Sequence, residues 1–313
     1  MSLVEVKGLF QRFGKKVVLR NINLSIEPGE IFGIIGPDGA GKTTLLRVIG
    51  GVLPGTAEIL KVSGVDLLRY PEAVKERIGV VPQNFSLYRD LTVEENLHFF
   101  QKLYMVPDGV FLERKQRLLE IFRLDAFQAY RAENLSGGMQ KKLALITSLL
   151  HTPPLLILDE PTCGVDPVSR RELWDFLYEL FEGGTTIIIS TPYMDEAERC
   201  TKVGFMYNGE ILLIDEPSSI KKNYKYQVIE IKGTDVKKAG ELSFPGELMV
   251  QDVYPVGDMF HLVTSRTGTD EISAFLKDNN CAVVAKRVEP SFEDAFIALI
   301  REKRTSLNVC SGY

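Results

Sequence analysis

The sequence predicts an α/β chain in which a parallel-sheet domain carries an antiparallel β subdomain and a helical insert, with a small α+β domain behind it. Three observations point there. The runs at 29–35, 155–159 and 185–190 are short, apolar and rich in Ile and Leu, as strands buried on both faces are. Residues 92–149 interrupt that pattern with amphipathic helical spacing, Leu112, Leu118, Leu119, Phe122 and Leu124 standing amid charged residues. After Glu216-Pro-Ser-Ser-Ile-Lys-Lys222 shorter alternating runs begin, which reads as a second folding unit. The expected domains are therefore 1–221, with the helical subdomain at about 84–150, and 222–303, followed by a loose tail at 304–313.

Each element has a local reason. Gly14-Lys15 separates two strand-like runs, 9–13 and 17–26, and predicts an antiparallel hairpin. Pro28-Gly29 turns the chain into the apolar run 29–35, after which 44–49 continues as a short helix. Residues 57–68 read as strand and turn, and Ile78-Gly-Val-Val81 as a short strand ending at Pro82-Gln83. Beyond the helical block, 155–159 and 185–190 are buried parallel strands, 168–182 is a helix and 202–213 a hairpin-like stretch. In the second unit, 226–231, 259–263 and 282–285 read as strands and 269–278 as a helix. A last helix starts at Ser291, where Ser291 and Asp294 have capping-box spacing and Phe292, Ala295, Phe296, Leu299 and Ile300 share a face. His261 falls in a strand pattern, where a satisfied, partly buried histidine is expected.

The chemistry concentrates in the first unit. Gly36-Pro-Asp-Gly-Ala-Gly-Lys-Thr-Thr44 lies between a strand and a helix, the setting of a phosphate-binding loop. Its small residues let backbone N–H groups turn toward phosphate, Lys42 adds a positive charge, and Thr43 offers a hydroxyl to Mg²⁺. The following helix aims its positive dipole end at the same place. Leu155-Leu-Ile-Leu-Asp-Glu-Pro161 delivers two adjacent acids at the end of an apolar strand. Neighbours on a strand face opposite sides, so Asp159 would hold the metal and Glu160 would act as general base on a water attacking the γ-phosphate. Gln83, at the end of its own short strand, could reach metal and water. The expected ligands are ATP and Mg²⁺.

Composition excludes several classes. The 313 residues are 45% hydrophobic and 25% charged, with a net charge of −5 that gives no nucleic-acid footprint. No apolar run is long enough to cross a bilayer, and Met-Ser-Leu-Val-Glu-Val lacks the regions of a signal peptide, so a cytoplasmic location is expected. Cys163, Cys200, Cys281 and Cys310 stand far apart without C-x-x-C spacing, which suggests reduced thiols rather than zinc or disulfides.

Over roughly residues 3–215 these motifs, in this order, resemble the ATP-binding subunits of ATP-binding-cassette (ABC) transporters, a branch of the P-loop NTPases. The resemblance matches Phe13 to the aromatic that stacks on adenine and Gly36, Asp38, Gly39, Ala40, Gly41, Lys42, Thr43 and Thr44 to the Walker A loop. It matches Gln83 to the Q-loop, Ser136-Gly-Gly-Met-Gln140 to the signature motif, including Gly137, Gly138 and Gln140, Asp159 and Glu160 to Walker B, and Gly164-Val-Asp166 to the D-loop. The segment 222–303, ending in Glu289-Pro-Ser-Phe-Glu-Asp-Ala-Phe296, is similar to the extension of the drug- and antibiotic-exporter branch. What the resemblance implies is head-to-tail pairing of two nucleotide domains, identical, different or fused. Each ATP then lies between Walker A of one and the signature of the other. Ser136 with the N–H groups of Gly137 and Gly138, at a helix start, suits a phosphate presented from across that interface. Transmembrane permease subunits would sit on the surface around 88–96, leaving the chain peripheral on the inner face of the cell membrane.

Two positions depart from the pattern. Where the family places a histidine that bonds the γ-phosphate, this chain has Pro192, which has neither side-chain donor nor N–H. Proline suits the first turn of a helix, and Asp195 and Glu196 suit its start, so the expected damage is chemical rather than structural. Tyr193 is the neighbour whose hydroxyl could stand in. Asp38 replaces the asparagine of many relatives and must point outward or pair with a base. The expectation is an ATP-hydrolysing export subunit whose own site is degenerate. The alternatives are a non-transport ATP-gated clamp, which would need coiled coils or a basic linker, and a regulatory ATP-binding module.

Overall fold

A computed structural model of the chain describes residues 2–84 and 87–310, with side chains through residue 303. It divides into two compact units, Met1–Glu216 and Pro217–Tyr313. The first runs β1 (Val4–Phe13), β2 (Lys16–Ile26), β3 (Ile31–Ile35), α1 (Lys42–Ile49), β4 (Ile59–Val62), β5 (Val65–Asp66) and β6 (Ile78–Val81). The helical block follows as α2 (Val93–Leu103), α3 (Asp108–Phe122) and α4 (Gly137–Leu149). Then come β7 (Leu155–Asp159), α5 (Pro167–Glu182), β8 (Thr186–Thr191), α6 (Met194–Ala197), β9 (Lys202–Tyr207) and β10 (Glu210–Asp215).

Among the described residues of this unit the strands form two sheets. One is antiparallel, in the order β2-β1-β4-β5; the other, β10-β9-β3-β8-β7-β6, is parallel except at the β9–β10 hairpin. The parallel register matters for function. Ile35 pairs with Thr191, Asp159 with Ser190 and Val81 with Leu158, so the chain leaves all four strands along one edge of the sheet. Gly36, Gln83, Glu160 and Pro192 are gathered there, at the carboxyl ends where open α/β sheets bind ligands.

The core that fixes this edge packs α1 between the sheets. Leu45, Val48 and Ile49 are fully buried together with Leu9, Ile22, Leu60, Val62, Ile157 and Ile188, each side chain contributing about 2 kcal/mol of burial. In the helical block, Thr92 and Glu95 form a capping box that starts α2, the Glu95 amide donating to Thr92 Oγ1 at 3.1 Å and the Thr92 amide to Glu95 Oε2 at 2.8 Å.

The second unit contains α7 (Pro217–Lys222), β11 (Gln227–Gly233), α8 (Val236–Gly240), β12 (Val250–Val256), β13 (Met259–Thr264), α9 (Thr269–Asp278), β14 (Val283–Val288) and α10 (Phe292–Cys310). Its antiparallel sheet has the order β12-β13-β11-β14, over a core of Ile229, Ile231, Leu262, Ile272 and Leu276. Three expectations change here. The division falls before Pro217 rather than at 222, because 217–222 form a helix of the second unit. The edge strand β12 was not anticipated, its pattern being broken by Pro255, which edge strands tolerate. Finally, α10 continues to Cys310, so 304–310 are helical rather than loose; 311–313 lie outside the described residues.

Asp294, fully buried at the start of α10, accepts hydrogen bonds from the Ser291 amide (2.6 Å), Ser291 Oγ (2.7 Å) and the Tyr254 hydroxyl, and pairs with His261 Nδ1 at 2.7 Å. The capping box read at Ser291 and the satisfied histidine read at His261 are thus parts of one network.

Candidate functional site

The phosphate loop is shaped by its glycines where nothing else fits. A Cβ on Gly36 would lie 2.2 Å from the Met206 carbonyl oxygen, and Gly41 has φ of 108° with Met206 Cε and Val18 O within about 3 Å of any added Cβ. Helix α1 starts immediately after, at Lys42 rather than Thr44, so the N–H groups of its first turn face the loop's interior. Lys42 is buried, and its ammonium donates to the carbonyls of Gly36 (2.8 Å) and Pro37 (3.2 Å).

Five of the sequence-derived residues converge at the sheet edge. Thr43 Oγ1 donates to Asp159 Oδ1 at 3.2 Å, Lys42 Nζ lies 3.3 Å from Glu160 Oε1, and Gln83 Nε2 donates to Glu160 Oε2 at 2.9 Å. Both acids are buried, at 6% and 7% exposure. They do not diverge as neighbours on a strand would. Strand β7 ends at Asp159, and Glu160 turns with φ of 49°, an uncommon conformation for a residue with a side chain. That turn brings both carboxylates to the same side. It is held by Ser190, which the sequence reading missed: the Glu160 amide donates to Ser190 Oγ and to its carbonyl at 3.1 Å each, while Ser190 Oγ donates to Asp159 Oδ1 at 2.6 Å. The available signal was a hydroxyl at the end of a run of isoleucines in the strand beside β7.

The donor set fits a divalent cation and a phosphate chain. A hydroxyl facing a carboxylate is hard oxygen chemistry suited to Mg²⁺, and a buried lysine beside a glycine-shaped helix start suits phosphate. Asp38 points away, 94% exposed with Oδ1 4.0 Å from Lys42 Nζ, so its charge is spent mostly on solvent. Ala40 caps the loop through its amide to the Pro37 carbonyl at 3.2 Å. Thr44 is partly buried within α1, and Phe13 ends β1 with its ring 49% exposed.

The signature residues stand apart from this cluster. Ser136 is the N-cap of α4, accepting the Met139 amide at 3.3 Å, and a Cβ added to Gly137 or Gly138 would meet nothing within 4 Å. Gln140 turns back to the Ala132 carbonyl at 3.0 Å. Among the described residues, no hydrogen bond or ion pair joins Ser136, Gly137 or Gly138 to Lys42, Thr43, Asp159 or Glu160. Asp166 caps α5 through the amides of Ser169 and Val168, both at 3.0 Å, and the first of these does most to hold its carboxyl below the usual range.

Pro192 lies one residue beyond the Ile35–Thr191 pair, alongside the phosphate loop. It precedes the helix rather than occupying its first turn: α6 begins at Met194 with Tyr193 as N-cap. The Tyr193 ring is occupied by the Arg170 guanidinium, 4.8 Å from its centroid, which weakens its claim to stand in for a histidine. Downstream of Gln83, Tyr88 is half-exposed, but Asn96 is fully buried and bonds the Tyr88, Leu91 and Thr92 backbone, so it belongs to the scaffold and not the surface. Residues 85 and 86 of that stretch lie outside the described residues.

Comparison with known proteins agrees with this geometry. The family model described as ABC transporter matches residues 19–163. Nod factor export ATP-binding protein I of Rhizobium sp. (strain N33) is 33% identical over 298 residues, covering 95% of this chain and 96% of that protein. The probable multidrug ABC transporter ATP-binding protein YbhF of Escherichia coli (strain K12) is 38% identical over 220 residues, covering 70% of this chain; the match spans only 38% of YbhF. A solved dimeric, post-hydrolysis state of the ATP-binding cassette MJ0796, bound to ADP and Pi, superposes with a TM-score of 0.63 at 25% identity, covering 68% of this chain and 98% of that one. The fold and the site define a P-loop NTPase of the ATP-binding-cassette class. The chain belongs to the ABC transporter family, among its ATP-binding proteins.

Proposed function

We propose that this chain is the ATP-binding and ATP-hydrolysing subunit of a membrane exporter, driven by head-to-tail closure of two nucleotide domains. The observation that carries this reading is the separation of two phosphate-binding surfaces on one chain. Lys42, Thr43, Gln83, Asp159 and Glu160 interlock at the sheet edge, while Ser136, Gly137 and Gly138 open outward from α4. A second copy, or a different nucleotide domain, would bring such an outward surface onto the first. Mg²⁺, held by Thr43 and Asp159 with Gln83 alongside, would supply charge neutralisation between the phosphates. Lys42 and the first-turn amides of α1 bind the phosphate chain, Phe13 offers an exposed ring to the base, and Asp166 places α5 behind the loop after Glu160. Glu160 accepts the proton of the attacking water, with Ser190 fixing its backbone and Gln83 its carboxylate. Export is supported by the relatives, named for multidrug and Nod factor export. The permease would hold the chain on the cytoplasmic face of the membrane; among the described residues, no helix is long and apolar enough to cross one.

Pro192 favours a narrower version in which this chain's own Walker half-site binds ATP and hydrolyses it slowly, while its signature completes an active site on another domain. What supports it is that Lys42, Thr43, Gln83, Asp159 and Glu160 contact one another at the edge, while Pro192 has no donor where the resemblance puts a histidine. The experiment is Mg²⁺-dependent ATP hydrolysis by the purified chain, wild type beside Pro192→His, with Glu160→Gln as blank. Wild type near the blank and a gain of about tenfold or more with histidine, some 1.4 kcal/mol off the barrier, support the degenerate site. Brisk wild-type turnover that histidine does not raise refutes it, and no nucleotide binding at all refutes the ATPase reading.

A further inference from the structure

Lys141 ties the loop after Glu160 to the helix that carries Ser136, and we propose that it is a positioning residue making the two half-sites of one chain move together. The inference rests on the ATPase reading above but concerns a residue that reading leaves unused. Lys141 lies on α4, three and four residues beyond Gly138 and Gly137, hence on their face of the helix. Its ammonium donates to the Cys163 carbonyl. The Cys163 amide donates in turn to the Glu160 carbonyl at 3.2 Å. Two hydrogen bonds therefore connect the signature helix to the backbone of the residue assigned as general base.

Packing at this junction is interrupted on the loop side. A cavity of about 30 Å³, room for one water, lies between helix and loop, with Phe122, Leu145, Leu173 and Phe176 on its apolar wall and Lys141 and Pro161 toward the loop. Gly164 in the loop has φ of 71° and nothing within 4 Å of an added Cβ. Pro161 and Thr162 are buried, but residues 163–165 are partly exposed and take their position from the polar anchor, and a charge-assisted bond from a partly buried ammonium is a strong one. Burial pulls the Lys141 pKa down, opposed by Cys163 and Glu160, as expected of a cation held against this loop. Lys142, the next residue, acts elsewhere. Its Nζ meets Glu172 Oε2 at 3.2 Å and Arg123 meets Glu172 Oε1 at 3.3 Å, which secures the helical block to α5 and not to the loop.

The consequence is directional. Nucleotide entering the Walker half-site must take Lys42 from Glu160, and any shift of the Glu160 backbone is passed through Cys163 and Lys141 to the start of α4. The half-site this chain presents to its partner then reports the state of its own.

The test uses the full chain and two readouts. Hydrogen exchange of the amides at 163–166 is followed without nucleotide in wild type, Lys141→Met, Lys141→Arg and Lys142→Met. Loss of the anchor should speed exchange about tenfold in Lys141→Met, with Lys141→Arg and Lys142→Met near wild type. Turnover and fluorescent-ATP affinity are then compared with each variant made in the Pro192→His background, where turnover is high enough for a loss to be read. Lys141→Met should lower kcat about tenfold while the affinity of the single chain stays within about twofold, and Lys141→Arg should restore it. Unchanged loop exchange in Lys141→Met overturns the proposal, as does an equal loosening in Lys142→Met, which would indicate general helix packing. If wild type fails to bind ATP, the ATPase reading falls, and the exchange measurement still decides whether Lys141 anchors the loop.

Discussion

Two buried acid clusters, one in each unit, are built from similar parts and are finished differently. In the second unit Asp294 is met by His261, Tyr254 and both donors of Ser291, so that its two oxygens are fully engaged from within the unit. In the first, Asp159 and Glu160 are met by Thr43, Lys42 and Gln83, which stand at a sheet edge where a phosphate or a cation could claim them instead, while the fully buried Ser190 holds the turn between the two acids. A saturated carboxylate is a clamp, fixing the start of α10 against β12 and β13. A carboxylate whose partners are themselves ligand-binding groups is a site at rest. Burial alone does not separate the two cases; the alternative uses of the partners do.

That contrast can be broken in either direction. The largest effect is expected at Glu160. In a Pro192→His background, Glu160→Gln should lower ATP turnover by about a hundredfold or more, the share of a general base, while leaving the unfolding midpoint of the first unit nearly unchanged. Asp294→Ala should do the reverse. It strands the donors of His261, Tyr254 and Ser291 in a buried place and should cost about 3 kcal/mol in the unfolding of the second unit, with ATP affinity unaltered. Denaturant titration beside a nucleotide-binding curve reads both. Ser190→Ala should lower turnover about tenfold through the freed Glu160 backbone, with little change in ATP affinity.

The smallest effect is a pH window. The hydrogen bond to Asp294 raises the His261 pKa above its ordinary 6.5, against the effect of burial. Its stabilisation is complete below 6.5 and is lost as pH rises through the folded value. Burial works to raise the Asp294 pKa, but the bonds from His261, Tyr254 and Ser291 outweigh it and the pKa lies below 3.8. That stabilisation is present above 3.8 and is lost as pH falls through the folded value. The second unit should therefore be most stable between about pH 4 and 6.5, and His261→Gln should remove the upper decline; thermal midpoints across pH decide this.

The sequence was most readable where backbone shape and chemistry coincide. The glycines at 36 and 41 are demanded by close approach and by φ, and Asp159 ends a strand that is apolar throughout, so spacing alone located both. Period-two reasoning failed one residue later, because Glu160 leaves the strand in a left-handed turn that no alternation rule anticipates. Ser190 and Lys141 escaped notice for a related reason: each acts on a loop distant in sequence, through pairings only the folded sheet and α4 reveal. In the second unit, Pro255 hid β12, and the polar composition after Arg304 hid the last turns of α10.

The central claim, that each phosphate surface is finished by the other from a second chain, is tested most directly by complementation. Lys42→Ala leaves the signature intact and cripples the Walker half-site; Gly137→Asp does the opposite, placing an acid where phosphate should bind. Both are made in the Pro192→His background and assayed alone and mixed. With random pairing, half the dimers are mixed and each holds one intact composite site, so the mixture should recover about a quarter of the parent rate from two nearly inactive proteins. A mixture no more active than the average of its components would contradict the account.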